Sequence, residues 1–338
     1  MDTTDSDIVF DDFGFCNHCH EFKKKEDQRK AEKLELPWVY HQIRKEGKGK
    51  TYDVLIGLSG GVDSSLCLHY LVENGIRVLA FTIDNGWNTK ESDENIMRLV
   101  EGLKIPFYRY NIDLEEFREL QVSFMKSGTA NIEIPTDHIL MAASYQTAKE
   151  NNIKFIVSGG NIATEAIMPK EWGYEARDLK FIKAIYKKFA NRKLINLPMI
   201  SLRQYLVYRF VRKIKVINLL DYYEYNREKA KKLLHEKYRW LDYGEKHCES
   251  TFTWWFQHWY LPQKFGYDKR KPHYSSMILS GQMRREDAMQ KLLEPLTFPV
   301  MPFQEKVKQY PIKGYRAYSN NEKMWSFLSK TYGIFKKR

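Results

Sequence analysis

Through the first half of the chain, short apolar runs alternate with amphipathic stretches of helical period. Residues 53–58 (DVLIGL) form a β-prone apolar run that leads directly into the Gly-rich SGGVDSS. Leu66, His69, Tyr70 and Val72 follow at helical spacing, and Gly75 gives the stop. This is a strand, loop and helix unit. Residues 77–84 (RVLAFTID) read as a second buried strand, 91–103 (ESDENIMRLVEGL) as a helix and 106–113 (PFYRYNID) as a third strand. A long helix is expected over 137–152, followed by a fourth strand in KFIVSGGN at 154–161. Strands alternating with helices of this length predict an α/β fold with a parallel, doubly wound sheet, whose ligand sits beyond the carboxyl ends of its strands. Those ends carry SGGVDS, DNGW and SGGN.

The pattern changes on both sides of this core. Residues 1–12 are acidic, FCNHCH follows at 15–20, and the charged run 21–35 reads as a solvated helix. Beyond about residue 175 the chain becomes mostly helical and more basic, with 180–189, 201–215 and 226–240 all read as helical. Residues 252–274 are dense in aromatics and positive charge. The expected organisation is an appendage over 1–50, a nucleotide domain over 51–200 and a helical, basic and aromatic substrate-binding part over 201–338.

Composition narrows the classes. With 338 residues, 43% hydrophobic and 29% charged, the chain has enough apolar material for a full core. Lys and Arg number 55 against 43 acidic residues, a net charge of +12 that points to anionic partners without choosing among them. No apolar stretch is long enough to span a bilayer and the start does not read as a signal peptide, so a cytoplasmic protein without membrane insertion is expected. Four cysteines in such a length form no disulfide framework. Cys16 and Cys19 make a C-x2-C pair, half of a structural zinc site.

The loop Ser59, Gly60, Gly61, Val62, Asp63, Ser64, Ser65 joins a buried strand to a helix, an arrangement that turns backbone N–H groups and a helix dipole toward a phosphate. It lacks the G-x4-G-K-S/T pattern of a Walker loop, which disfavours γ-phosphoryl transfer. SGGVDSS resembles the PP-loop of the ATP pyrophosphatase superfamily, in which a bound substrate oxygen is adenylated with release of pyrophosphate and a nucleophile then displaces AMP. Further stretches, 1–19, AFTIDNGWN, VSGGNIATEAIMP, KHCESTFTWWFQ, LPQKFGYDKR and SGQMRREDAM, resemble the N-acetyl sugar amidotransferase family of the WbpG and PseA type from end to end. That resemblance implies an enzyme that converts the acetamido group of a nucleotide-linked N-acetyl sugar to an acetamidino group with ATP and ammonia. It further implies a role in lipopolysaccharide O-antigen or other glycan synthesis.

The same resemblance distributes roles. Backbone groups of Gly60, Gly61 and Val62 and the hydroxyls of Ser59, Ser64 and Ser65 would bind the phosphates, and Asp63 would contribute to a Mg2+ site. Asp63 compensating a helix dipole is the plainer alternative. Thr82 and Asp84 fall where adenine or ribose is contacted, with Asn85, Gly86 and Trp87 shaping the wall. The second Gly turn, Gly159, Gly160 and Asn161 after Ser158, faces the same crevice. Thr164, Glu165 and Trp172 are assigned to substrate, as are His247 and Glu249 in KHCES. Lys264, Asp268 and Arg270 in the basic aromatic segment are expected to hold the sugar diphosphate, and Lys264 and Asp268, with Asp63 and Ser59, to take part in catalysis; a solvated helix end is the bland reading of the basic segment. Family members carry a second C-x2-C pair just upstream of MDTTD. A zinc ion at Cys16 and Cys19 would therefore need His18, His20 or another residue, or an earlier chain start.

No cysteine lies in a glutaminase signature, so ammonia is expected from a separate glutamine amidotransferase subunit of the HisH type. The competing reading is a tRNA-modifying PP-loop enzyme, a thiolase or lysidine-type ligase; isolated cysteines support thiolation poorly, and nucleic acid is disfavoured as a partner. A noncatalytic nucleotide-binding scaffold is the third.

Overall fold

The computed structural model describes residues 1–33 and 36–312. Residues 313–338, the end of the expected C-terminal part, lie outside the described residues. Two helices, α1 (Asn17–Lys33) and α2 (Leu36–Gly47), precede a five-stranded parallel sheet. The strands are β1 (Val54–Gly57), β2 (Val78–Asp84), β3 (Phe107–Asn111), β4 (Phe155–Ser158) and β5 (Lys215–Asn218), in the order β3-β2-β1-β4-β5. Val54 pairs with both Val78 and Phe155, so β1 is the central strand, and Phe155 pairs with Lys215.

Central burial explains the continuous apolar runs: Val54, Leu55 and Ile56 are fully enclosed, with helices on both faces. The linking helices are α3 (Val62–Glu73), α4 (Lys90–Leu103), α5 (Leu114–Ser127), α6 (Ile134–Glu150), α7 (Ile162–Glu165) and α8 (Leu179–Phe189). The expected Gly stop holds, since Gly75 takes φ +67 and its N–H reaches the Val72 carbonyl at 2.9 Å. The chain builds outward from β1 to β3 on one side and then returns to β4 and β5 on the other. The topological switch point therefore lies between β1 and β4, and their carboxyl ends carry the two Gly turns.

Two expectations are corrected. The stretch 201–215 is not one helix: α9 (Leu202–Leu206) runs into a π-turn over Val207–Val211, and the chain then enters β5. The sheet thus draws its last strand from beyond residue 200. A strand of only four residues at a sheet edge, with Lys215 and Asn218 exposed, carries too little apolar periodicity to be read from sequence. Nor is the N-terminal segment wholly an appendage, because Val39, Tyr40 and Ile43 of α2 are buried in the same core cluster as Leu66, Leu71 and Val78.

C-terminal to the sheet come α10 (Arg227–Tyr238), α11 (Thr251–Trp255), a π-turn over Phe256–Tyr260, α12 (Leu261–Phe265), α13 (Arg270–Leu279), α14 (Arg285–Leu293) and α15 (Gln304–Lys308). The aromatic density of this part is core: Trp255, Trp259 and Tyr260 pack with Phe124 and Phe181 from α5 and α8. The C-terminal helices are thereby fixed over the carboxyl edge of the sheet. Among the described residues, no helix is long and apolar enough to cross a membrane.

Candidate active site

A cavity of about 900 Å³ opens between the switch point and the C-terminal helices. At one end lies the loop after β1. Gly60 takes φ +74, and a Cβ there would collide with the Ser92 carbonyl, so only glycine fits. The Gly60 carbonyl accepts from Trp240 Nε1 at 3.1 Å, and the Gly61 N–H donates to Ser59 Oγ at 3.2 Å. The second Gly turn packs directly on this one: a Cβ on Gly159 would lie 3.0 Å from the Ser64 nitrogen. Close approach of two backbones, rather than loop freedom, is what the SGG in β4's turn supplies.

Of the expected phosphate-binding residues, Ser59, Asp63, Ser64, Gly159 and Gly160 line the cavity. Val62 is buried, with its N–H donating to Tyr243 Oη at 3.3 Å, and Ser65 is enclosed in the protein with an unpartnered hydroxyl. Thr82 lines the cavity, whereas Asp84 is exposed and accepts from the Gly86 N–H at 3.2 Å. Asn85 takes its place on the wall. Trp87 is packed against Phe252 and donates to Gln121 Oε1 at 3.0 Å. Asn161 does not face the cavity: it caps α7, accepting from the Thr164 N–H at 2.9 Å.

Electrostatically the loop end is dominated by a residue that sequence reasoning missed. Lys246, largely buried, donates to Asp63 Oδ2 at 2.7 Å and to Thr164 Oγ1 at 2.8 Å, and pairs with Glu165 Oε1 at 3.0 Å. Burial works against its charge, but the two carboxylates outweigh it and hold the ammonium protonated above its ordinary range. Tyr225 donates to the other Asp63 oxygen. The available signal was Lys246's place beside His247 in KHCES; nothing in the sequence pointed to Tyr225.

Glu165, Trp172, His247 and Glu249 also line the cavity. His247 adopts φ +67, and its ring faces His273 at 5.3 Å. Burial, with Lys246 and Lys269 nearby, holds it neutral. Glu249 stands beside Gly61; burial pushes its carboxyl up to about 7, and its Oε2 has no partner. With this buried carboxyl oxygen left open near Asp63, the two residues would suit a hard cation that offsets phosphate charge.

The basic segment behaves otherwise than expected. Lys264 Nζ donates to the carbonyls of Val307 at 2.8 Å and Tyr310 at 2.6 Å, closing the end of α15. Arg270 forms a two-pronged pair with Asp268 and donates to the carbonyls of Lys291 and Glu294 at the end of α14. All three are spent on helix termini and do not line the cavity. Their neighbour Lys269 does: it is buried, its Nζ reaches Met168 Sδ at 3.0 Å, and burial lowers its pKa to about 8.

Cys16 and Cys19 bring their sulfurs to 3.6 Å, while His18 is held by Asp5 and His20 by Asp11. The structure brings no third ligand to the pair: among the described residues, no group of three or more His, Cys, Asp or Glu side chains is placed to hold a metal. Cys67 and Cys248 are buried, and neither lines the cavity.

A parallel sheet with an SGG-D-S loop at its switch point defines a PP-loop ATP pyrophosphatase fold. Comparison with known proteins agrees: a family model described as NAD synthase matches residues 35–199. A second, described as LPS biosynthesis protein WbpG-like, C-terminal domain, matches residues 249–316. The two matches fall in one chain, which supports a WbpG-type protein within that superfamily. Among curated proteins, a tRNA-specific 2-thiouridylase, MnmA 2, of Clostridium botulinum is 29% identical over 118 residues, covering 31% of this chain and 33% of the relative. MnmA of Staphylococcus saprophyticus is 32% identical over 93 residues, 24% of this chain and 25% of its own length. The chain thus spans a third or less of these curated relatives. Among solved structures, an NH3-dependent NAD synthetase from Campylobacter jejuni shares 17% identity with a TM-score of 0.30, covering 42% of this chain and 58% of that one. An NMN synthetase from Francisella tularensis shares 15% with a TM-score of 0.33, covering 67% and 98%.

Proposed function

We propose that the protein is an ATP-dependent amidotransferase acting on a nucleotide-linked N-acetyl sugar in lipopolysaccharide or related glycan biosynthesis. An amide carbonyl is a poor electrophile. Attack of its oxygen on the α-phosphorus of ATP releases pyrophosphate and leaves an imidate bearing a good leaving group, AMP. Ammonia adds to the imidate carbon and AMP departs, giving the acetamidine. The protein's task is to hold the partners in line and to stabilise the phosphates. The observation that carries this reading is one cavity of about 900 Å³ lined by the loop together with polar side chains of α6 and of the C-terminal helices, room for ATP and a second substrate together.

Within that reading, the backbone of the loop with Ser59 and Ser64 holds the pyrophosphate, and Thr82 and Asn85 border the nucleoside. Asp63 with Glu249 would hold a magnesium ion, which neutralises phosphate charge when bound. Lys246, paired with Asp63, would shift toward phosphate oxygens when the nucleotide arrives. Ammonia would come from a glutamine amidotransferase subunit, free ammonium substituting at higher concentration, and the compartment would be the cytoplasm.

The match to tRNA thiouridylases favours a second reading, sulfur transfer to tRNA. Against it, no cysteine among the described residues lines the cavity. The test is pyrophosphate release from ATP with ammonium and a panel of nucleotide-linked N-acetyl sugars, with product masses, for wild type and Asp63→Ala. Sugar-dependent release with oxygen replaced by NH, lost in the variant, supports the amidotransferase; release only with tRNA selects the thiolase reading.

A further inference from the structure

Beyond the loop, the cavity lining includes side chains with polar atoms that the protein itself leaves unsatisfied. Eight buried side-chain polar atoms among the described residues have no hydrogen-bond partner, and four of them, on Glu133, Thr136, Trp172 and Glu249, belong to cavity-lining residues. Glu249 belongs to the loop end. Of the other three, Glu133 and Thr136 share one face at the start of α6 with Asp137, at spacings of three and four residues, and Trp172 is the third. Trp172 is 2% exposed, and its ring is stacked on Tyr267 with centroids 4.6 Å apart, which fixes the indole while its Nε1 goes unused.

Each orphaned buried group costs about 1–3 kcal/mol, so three on residues lining one cavity indicate groups kept for a ligand rather than for the fold. Glu133 is half served, with Oε2 accepting from Thr253 at 2.8 Å and Oε1 open. Burial pushes its carboxyl up to about 8 and that of Asp137 to about 6. Lys269 adds an ammonium that, among the described residues, has no carboxylate within 4.0 Å. The wall therefore offers an indole N–H and an ammonium as donors, carboxyl oxygens as acceptors, and a hydroxyl that is both. A phosphate would use only the donors, leave the carboxyl oxygens unserved and meet the charge of Asp137. Hydroxyl and amide groups, each able to donate and accept, satisfy both sets.

We propose that Glu133, Thr136, Asp137 and Trp172, with Lys269, form the subsite that holds the ring of an N-acetyl hexosamine. This rests on the nucleotide-sugar reading above. Ring hydroxyls donate to Glu133 and Asp137, and an acceptor oxygen of the sugar takes the Trp172 N–H. The sugar's diphosphate is directed back along the cavity toward the loop end.

The test is saturation-transfer NMR and calorimetry on the full chain with UDP-N-acetylglucosamine, UDP-N-acetylgalactosamine and UDP alone, with ATP binding measured in parallel. Glu133→Gln and Thr136→Val are near-isosteric, and Trp172→Phe removes the N–H but keeps a ring. The expected result is saturation of ring and acetyl protons of at least one UDP sugar in wild type, at least tenfold weaker sugar binding in each variant, and ATP affinity within twofold. Three outcomes overturn the subsite: neither UDP sugar binds, saturation is confined to the uridine, or sugar affinity is unmoved by all three substitutions. A Glu133→Gln effect on ammonium dependence alone overturns it as well, since that wall would then serve the nucleophile. Failure of wild type to bind ATP instead refutes the nucleotide reading itself.

Discussion

Replacing Lys246 by Met removes the cation that joins Asp63 to Glu165. The Lys246 side chain is 11% exposed and that of Asp63 17%, so neither charge is dissolved in bulk water. Without the ammonium, Asp63 keeps the Tyr225 hydroxyl, and Glu165 keeps only the weaker approach of His247 at 3.5 Å. Breaking a buried pair by removing one partner costs about 3–5 kcal/mol, because the remaining charge is stranded. For a chain of 338 residues, about 3 kcal/mol lowers the melting temperature by roughly 4 °C. Asp63→Asn combined with Lys246→Met leaves no such charge between them and recovers part of the loss, with a coupling of at least about 1 kcal/mol in a double-mutant cycle. Thermal unfolding followed by circular dichroism reads all four proteins. If Lys246→Met melts within a degree of wild type, or the two changes simply add, Lys246 is not a buried partner of Asp63 and its assignment at the loop end fails.

Gly60→Ala meets both a positive φ and the Ser92 carbonyl and should cost well over the ~1–2 kcal/mol of the left-handed region alone, whereas Gly86→Ala, at φ +78 in open space, should stay near that figure; chemical unfolding compares them. Arg270→Met should destabilise by about 2 kcal/mol through Asp268 and the open end of α14, yet leave the KM for ATP unchanged, as pyrophosphate-release kinetics would show; a raised KM would put Arg270 back at the site. Glu133 binds its proton more tightly folded than unfolded, with burial, then Asp137, raising it to about 8 and Thr253 opposing. The folded state therefore holds the extra proton between the ordinary glutamate range and pH 8, and stability from this group is lost as pH rises through that window. Glu133→Gln should accordingly gain on wild type in melting temperature from pH 5 to pH 8.5, and a constant difference would refute the shift.

The sequence alone determined the doubly wound sheet and the loop at its centre, because those rest on local periodicity and on adjacent chemistry. Val54–Gly57 is apolar throughout since both its faces are covered, and SGGVDSS declares a strand-to-helix turn within seven residues. Asp63, Ser59, Ser64 and the second Gly turn were legible for the same reason, and all of them meet at the β1 and β4 ends. Edge strand β5 was not, because four residues of which only Ile217 is buried carry almost no pattern. Nor could the sequence assign the charged side chains. Lys264, Lys269 and Arg270 lie within seven positions of one another and look alike in composition; two cap helix ends, and only the middle one reaches the cavity. That choice depends on where α14 and α15 end in space. The tie between Asp63 and Lys246 spans 183 positions, and only the packing of the C-terminal helices over the sheet brings those two charges within 2.7 Å.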